Sequence, residues 1–281
     1  MSRNLWTAIA TAVGVGGVVG GSLLWSRRVS AAPLPTGTPN ETPELGALDL
    51  APLPRAQDVR GDLVTNWGTT PVDLRPLFMQ MEEAAKIPGS ARFFAITAYG
   101  ESRFIPTAHN GDADNEQAER DATRRAWENG KDKNPPLRWG EKAADFGSGG
   151  LFGLTAPYFL WTGVPEVGER APLLNAPPEL LFQPRASAFG AVVYLQRIVK
   201  HYRVDDLADI RAGWASPSLL TTGRGGQRYQ ETRARFLGHA KTLGIDLSDA
   251  TTIPPKFDVS AWPGVLSVFS ALVGTLPKEL A

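Results

Sequence analysis

The chain contains no cysteine in 281 residues. That excludes disulfides, thiolate metal ligands and thiol catalysis, and it suits an envelope or extracellular setting. Histidine is scarce: His109, His201 and His239 are the three present, and none stands at metal-ligand spacing from another. No Gly-x-Ser-x-Gly elbow occurs, which argues against a serine triad. Charge of one sign is not in excess, since 29 basic residues balance 29 acidic ones. The chain therefore lacks the basic surplus of a nucleic-acid binder, although a neutral total still permits a locally charged cleft. The glycine-rich run lacks a Gly-Lys-Ser/Thr ending, so it is not a phosphate loop. No cofactor and no metal are expected. Asp112, Asp114 and Glu116 alternate, but the glycine and terminal glutamate of a calcium loop are missing. No internal repeat is present.

What remains is an ordinary composition, 42% hydrophobic and 21% charged, in a chain long enough for one sizeable domain with accessories. Four segments follow from composition. Residues 1–28 read as a transmembrane anchor. Asn4 to Ser26 is uncharged, and Trp6 to Trp25 gives the ~20 residues a bilayer needs, bracketed by aromatics as interfaces favour. Gly16 and Gly20, like Gly17 and Gly21, have the spacing that lets two such helices approach. A cleavable signal peptide ending at Val29-Ser30-Ala31 is the rival, weakened by Arg27 and Arg28 ahead of that box. Residues 29–57 form a Pro-rich linker. Residues 58–250 form the main helical domain. Residues 251–281 form a tail in which Val265, Leu266, Val268, Phe269, Leu272, Val273 and Leu276 predict an apolar helix. That helix is too short to span a membrane and needs its own domain, an assembly partner or a membrane surface to cover it.

Within the domain, Leu74, Leu77, Phe78, Met81 and Ala85 make one helical stripe. Pro88-Gly89 ends it, and Ser90 is placed to cap the next helix. That next segment is apolar on every side from Phe93 to Gly100 and ends in Glu101-Ser102. A helix of this kind belongs in a core. An acid at its end is carried to the wall of whatever cleft the core borders, where partial burial raises its pKa and suits it to general-acid work. Glu101 is thus the catalytic candidate.

A polar insertion, Ile105 to Phe146, follows, with a charged helix expected over Glu116 to Asn129. Then come Gly150, Leu151, Phe152 and Gly153, in a run whose glycines allow backbone to approach a ligand. Tyr158, Phe159 and Trp161 add aromatic density, which is more often core than sugar platform. Ala186 to Tyr202 carries Phe189, Val192, Leu195, Ile198 and Tyr202 at helical spacing. Ala212-Gly213-Trp214-Ala215-Ser216-Pro217 and a last helix from near Tyr229 complete the order.

This ordered set resembles the soluble lytic transglycosylase family of the lysozyme-like superfamily over roughly residues 72 to 245. Glu101-Ser102 is similar to the family's helix ending in Glu-Ser. Gly150 to Leu154 resembles its Gly-Leu-Met-Gln turn, with Gly153 where the family has Gln. Ala212 to Pro217 is loosely similar to its Ala-Tyr-Asn-Ala-Gly segment, with Gly213 and Trp214 in place of Tyr and Asn. The resemblance implies a lysozyme-like helical domain, so the expected fold is mostly α, with that domain set between the N-terminal transmembrane helix and the C-terminal apolar helix read from composition. It implies cleavage of the β-1,4 bond between N-acetylmuramic acid and N-acetylglucosamine in peptidoglycan, with Glu101 as the single acid and base. Ser102, Gly150, Leu151, Phe152, Gly153, Trp214 and Tyr229 would contact the glycan strand, and the insertion would line the cleft. The expected partners are peptidoglycan strands, the membrane through the N-terminal helix, and an assembly partner for the C-terminal helix. The expected location is the cell envelope, and a phage particle or secretion machine is an assembly context that suits this anatomy.

Two rivals remain. A lysozyme-type hydrolase needs a second carboxylate, for which Asp112, Asp114 and Asp145 are candidates. A non-catalytic envelope or virion protein would use the same domain only to grip peptidoglycan.

Overall fold

Leu77, Phe78, Met81, Ala84 and Ala85 form the buried face of the first helix, α1 (Arg75–Ala85). The computed structural model describes residues 67–109, 113–133, 141–160, 172–174, 176–247 and 264–275, with 113–116 described by backbone alone. The expected anchor and linker, like most of the C-terminal tail, lie outside these residues. Among the described residues, no helix is long and apolar enough to cross a membrane.

Helix α1 stops where Lys86 turns left-handed, with φ 56°, and donates its N–H to the Glu82 carbonyl. Pro88 and Gly89 then reverse the chain into α2 (Ser90–Ser102). Ser90 does not cap this helix: its side chain makes no capping bond and is fully buried. The Ala91 N–H instead donates to Glu82 Oε2 at 2.7 Å. A carboxylate supplied by the preceding helix satisfies an orphan donor and complements the positive end of α2. As its composition demands, α2 is buried on all sides, from Ala91 through Ala98.

The chain continues through α3 (Ala113–Gly130), α4 (Glu141–Phe146), a two-stranded hairpin of β1 (Ser148–Gly149) and β2 (Leu154–Thr155), and α5 (Ala156–Leu160). After a 3-10 turn at Pro178–Phe182 come α6 (Pro184–Tyr202), α7 (Leu207–Ala215), a 3-10 turn at Pro217–Leu220, α8 (Gln227–Leu243) and α9 (Val265–Leu272). The described protein is therefore mostly α, with one small antiparallel pair that sets Ser148 opposite Thr155 and Gly149 opposite Leu154.

Helix α2 packs between α1 and α8, and α6 packs against α1, α7 and α9. One apolar core runs through all of them, with Phe78, Phe93, Phe94, Phe152, Phe189, Phe236 and Phe269 fully buried. The C-terminal helix packs on its own domain. Val265, Val268, Phe269, Leu272 and Val273 of the α9 segment are buried against α1 and α6, so this part of the tail shares the domain core. Leu266, expected on the same face, points outward at 46% exposure. The buried Arg185 guanidinium donates to the Leu272 carbonyl at 2.9 Å, which satisfies an orphan group at the end of α9.

Candidate active site

Glu101 sits in the last turn of α2, and the chain reverses immediately after it. Arg103 and Phe104 are both left-handed, with φ of 54° and 65°. Two consecutive non-glycine residues in that region are uncommon and persist only where packing enforces them. Here Phe104 packs on Phe78 and Tyr99, while the Arg103 guanidinium lies 4.2 Å from the Tyr99 ring centroid. Ser102 is fully buried, and its hydroxyl lies 2.9 Å from both the Ala98 and Leu151 carbonyls. It ties the end of α2 to the glycine-rich turn.

That turn closes over Glu101. Gly153, at φ 59°, comes so near that a methyl group there would lie 2.7 Å from Glu101 Oε2. Only glycine combines this conformation with this approach. On the other side, Arg211 of α7 forms an ion pair with Glu101 Oε1, and each side chain is only 11% exposed. Glu101 is held above the usual carboxylate value of 4.5. Burial is the largest cause, Arg211 opposes it, the Glu119 carboxylate adds to it, and Arg235 opposes it. The C-terminal end of α2 also disfavours negative charge. Burial wins over the arginines, so this carboxyl keeps its proton to higher pH than a solvated one.

Glu119 is the second carboxylate at the site. It projects from α3, where both of its oxygens are engaged by the hairpin: Ser148 donates to Oε2 at 2.8 Å and Thr155 to Oε1 at 3.0 Å. Ser148 and Thr155 are cross-strand partners, so the hairpin clamps Glu119 with the same register that presents Gly153 to Glu101. Tyr158, on α5, is pushed up to about 12 by burial and by the Glu119 charge. Through Glu119 the insertion brings a second carboxylate charge to bear on Glu101. Asp145 faces elsewhere, in an exposed ion-pair network with Arg124 and Glu141. Asp112 and the Asp114 side chain lie outside the described residues.

The remaining sequence candidates hold the frame. Leu151 and Phe152 are fully buried, Phe152 edge-on to Phe78 and Phe94. Gly150 packs its Cα against the Leu181 carbonyl, where an added methyl would lie at 2.2 Å. Trp214 is buried edge-on to Phe93 and Tyr194. Gly213 leaves the room that Leu220 and Ile198 fill. The Tyr229 hydroxyl donates to the buried Asp209, which also accepts from Arg233 and Arg224. None of Ser102, Leu151, Phe152, Trp214 or Tyr229 presents an open face to a strand, because each is spent on packing or on an internal hydrogen bond. Of the sequence candidates, Gly153 is the one set against the Glu101 carboxylate, while Ser102 and Leu151 meet through a buried hydrogen bond.

Two residues at this site, Arg211 and Glu119, escape the motif reading. Arg211 had a signal: with Asp209 it is one of two charges in the otherwise apolar segment Leu207–Ala215. Glu119 had none, being one of many charges on α3. Behind the site, His239 packs edge-on against Tyr99 and sits where a side chain on Gly100 would fall, 2.8 Å from its Nδ1. Burial, and then the charges of Arg103, Arg211 and Arg235, push this imidazole down to about 4. Among the described residues, no group of His, Asp and Glu side chains is arranged to hold a metal ion. No family model, no curated protein and no solved structure matches the chain.

Proposed function

We propose that the protein is a peptidoglycan lytic transglycosylase built on a lysozyme-like helical domain, with Glu101 as its acid and base. The observation that carries this reading is the Glu101 carboxyl itself: buried at a helix end, raised above the usual carboxylate value by that burial, and pressed against a glycine turn. Oε1 is engaged by Arg211, which leaves Oε2 to carry the proton. Glu101 donates that proton to the bridging oxygen as the C1–O4 bond breaks. The resulting carboxylate takes the proton of the muramyl 6-hydroxyl, and that oxygen closes onto C1. A 1,6-anhydro end forms, the carboxyl is regenerated, and no water is consumed. The motif order Glu101-Ser102, Gly150 to Leu154 and Ala212 to Pro217 supports the family assignment.

A second reading rests on Glu119. A carboxylate oriented by two hydroxyls near the acid is what a lysozyme-type hydrolase needs to activate water or to stabilise an oxocarbenium ion. Digestion of purified peptidoglycan by the full chain and by Glu101→Gln, with products read by mass spectrometry, tests both. Anhydromuramyl ends from the unsubstituted protein alone support the transglycosylase. Reducing ends that disappear in Glu119→Gln shift the assignment to the hydrolase. Wall binding without any product overturns the enzyme and leaves a peptidoglycan-gripping protein.

A further inference from the structure

Two opposite charges flank Glu101, and each is held by a different part of the fold. Arg211 of α7 takes Oε1 and fixes the direction of the carboxyl. A guanidinium there also favours ionisation, so a general acid needs a counterweight that leaves this orientation alone. Glu119 of α3 is placed to supply it. Ser148 donates to its Oε2 at 2.8 Å and Thr155 to its Oε1 at 3.0 Å, and these two hydroxyls come from facing positions of β1 and β2. They hold the Glu119 carboxylate against rotation and favour its charged form. Gly153, in the turn between the same strands, presses on Glu101 Oε2. One short hairpin therefore fixes the position of both carboxyl groups, and the charge of Glu119 reaches Glu101 and opposes its ionisation. Both Glu119 oxygens already accept a hydrogen bond, which lowers the basicity that a water-activating group would need.

We propose that Glu119 is a positioning residue for the acid: clamped by Ser148 and Thr155, it sets a fixed negative charge beside Glu101 that offsets Arg211 and keeps the proton on Oε2 until the bridging oxygen of the strand takes it. The last step rests on the peptidoglycan reading, and Glu119 thereby gains a role other than base or nucleophile. Arg211 orients the acid without removing its proton, because a protonated carboxyl still accepts from the guanidinium through Oε1. The proton leaves Oε2 for the bridging oxygen and is replaced from the muramyl 6-hydroxyl. Glu119 stays ionised throughout, so protons and charge balance over the cycle.

The charged groups that face Glu101 are Arg211 of α7, Glu119 of α3 and Arg235 of α8. His239 of α8 packs behind it against Gly100, and Tyr158 of α5 faces Glu119. A general acid works while protonated, so kcat/KM falls as pH rises through its native value. Removing the Glu119 charge lowers that value and moves the basic limb of the profile to lower pH. Removing the Arg211 charge moves it the other way.

The test follows the Glu101 carboxyl directly, by carbon-13 NMR titration of the full chain labelled at its glutamate carboxyl carbons, with Glu101→Gln identifying the signal. Beside it, kcat/KM for cleavage of solubilised peptidoglycan strands is measured against pH. Glu119→Gln keeps the shape of the side chain and removes its charge. The expected result is a Glu101 titration at lower pH, anhydromuramyl ends still formed, and a loss of kcat/KM that is absent on the acid side and grows as pH rises. Ser148→Ala combined with Thr155→Val keeps the charge but frees it from the hairpin, and moves both readouts the same way by less. Arg211→Gln moves them upward, and Glu119→Gln combined with Arg211→Gln returns them toward the starting position, which a folding defect does not do. A Glu101 titration unchanged by Glu119→Gln overturns the proposal, with or without cleavage. A loss of kcat/KM equal at every pH overturns it too, and reducing ends that vanish in Glu119→Gln make Glu119 a hydrolase base instead. A titration that shifts as expected in a chain that cleaves no peptidoglycan supports the pairing of the two carboxyl groups and overturns the peptidoglycan reading alone.

Discussion

Gly153→Ala isolates the contact on which the catalytic reading depends. The substitution has two separable costs. The first is conformational: alanine at φ 59° costs ~1–2 kcal/mol in the left-handed region. The second is steric, because the new methyl would lie 2.7 Å from Glu101 Oε2 and 3.2 Å from its Cβ and Cδ. Ordinary contact requires the carboxylate to retreat by roughly 0.7 Å. Gly225 supplies the control. It has φ 83°, and a methyl there would meet nothing within 4 Å, so Gly225→Ala carries the first cost without the second. Gly225→Ala should lose about 2–8 °C in Tm, at ~2–4 °C per kcal/mol for a domain of this size, and Gly153→Ala at least as much. They should differ in activity, because displacing a catalytic group by about 1 Å costs on the order of 100-fold. Peptidoglycan digestion should therefore slow by roughly 10–100-fold in Gly153→Ala and stay near the unsubstituted rate in Gly225→Ala. If Gly153→Ala melts with Gly225→Ala yet digests peptidoglycan at the full rate, the carboxylate beside Gly153 is not the working acid.

Three further outcomes follow from the same structure. Glu101 binds its proton more tightly in the native state than in the unfolded chain, so it costs stability as pH rises past 4.5 and through its raised native value. Glu101→Gln should gain on the unsubstituted protein over that interval in urea unfolding, and a difference independent of pH would refute the burial argument. His239 behaves in the opposite sense: its native value is depressed, so stability is complete above 6.5 and is lost as pH falls toward about 4. His239→Phe should flatten that acid limb, and an unchanged limb would remove His239 from the account. Tyr229→Phe should cost ~1–2 kcal/mol, because it breaks the Asp209 hydrogen bond, and should leave KM for peptidoglycan unchanged. A raised KM with unchanged stability would restore a substrate role to Tyr229.

The C-terminal helix determines how such proteins must be made. Val265, Val268, Phe269 and Leu272 are core residues, each worth ~1.5–3 kcal/mol in burial, and Leu272 also receives Arg185. Their combined loss rivals the whole stability of an ordinary domain, about 5–15 kcal/mol. A fragment ending before α9 is therefore a poor vehicle for activity tests, and the full chain is preferred.

Periodicity and composition alone were enough to place α1, α2, α3, α6, α8 and α9, but not the short helices α4, α5 and α7. The stripe from Leu77 to Ala85, the all-round apolar α2 and the spacing in α6 each need burial on known faces, and a helix is the local solution that provides it. The same reasoning put Glu101 at a helix end, since the apolar run stops there. What the sequence could not supply was the identity of the groups that face this acid. Arg211 lies 110 residues away, and Glu119 is one charge among many on α3. They reach Glu101 because α7 docks beside α8, which packs on α2, and because the hairpin register clamps α3 to the glycine turn. Ser102, Trp214 and Tyr229 show the converse. Their residue types suit sugar binding, but burial commits them to Leu151, Phe93 and Asp209. The sequence by itself determined a helical protein with an acid at the end of a buried helix, because those features depend on neighbours within a few turns. Only the tertiary structure decided that the acid holds its proton more tightly than a solvated carboxyl, which oxygen Arg211 occupies and where the second carboxylate stands, because desolvation and charge act through space.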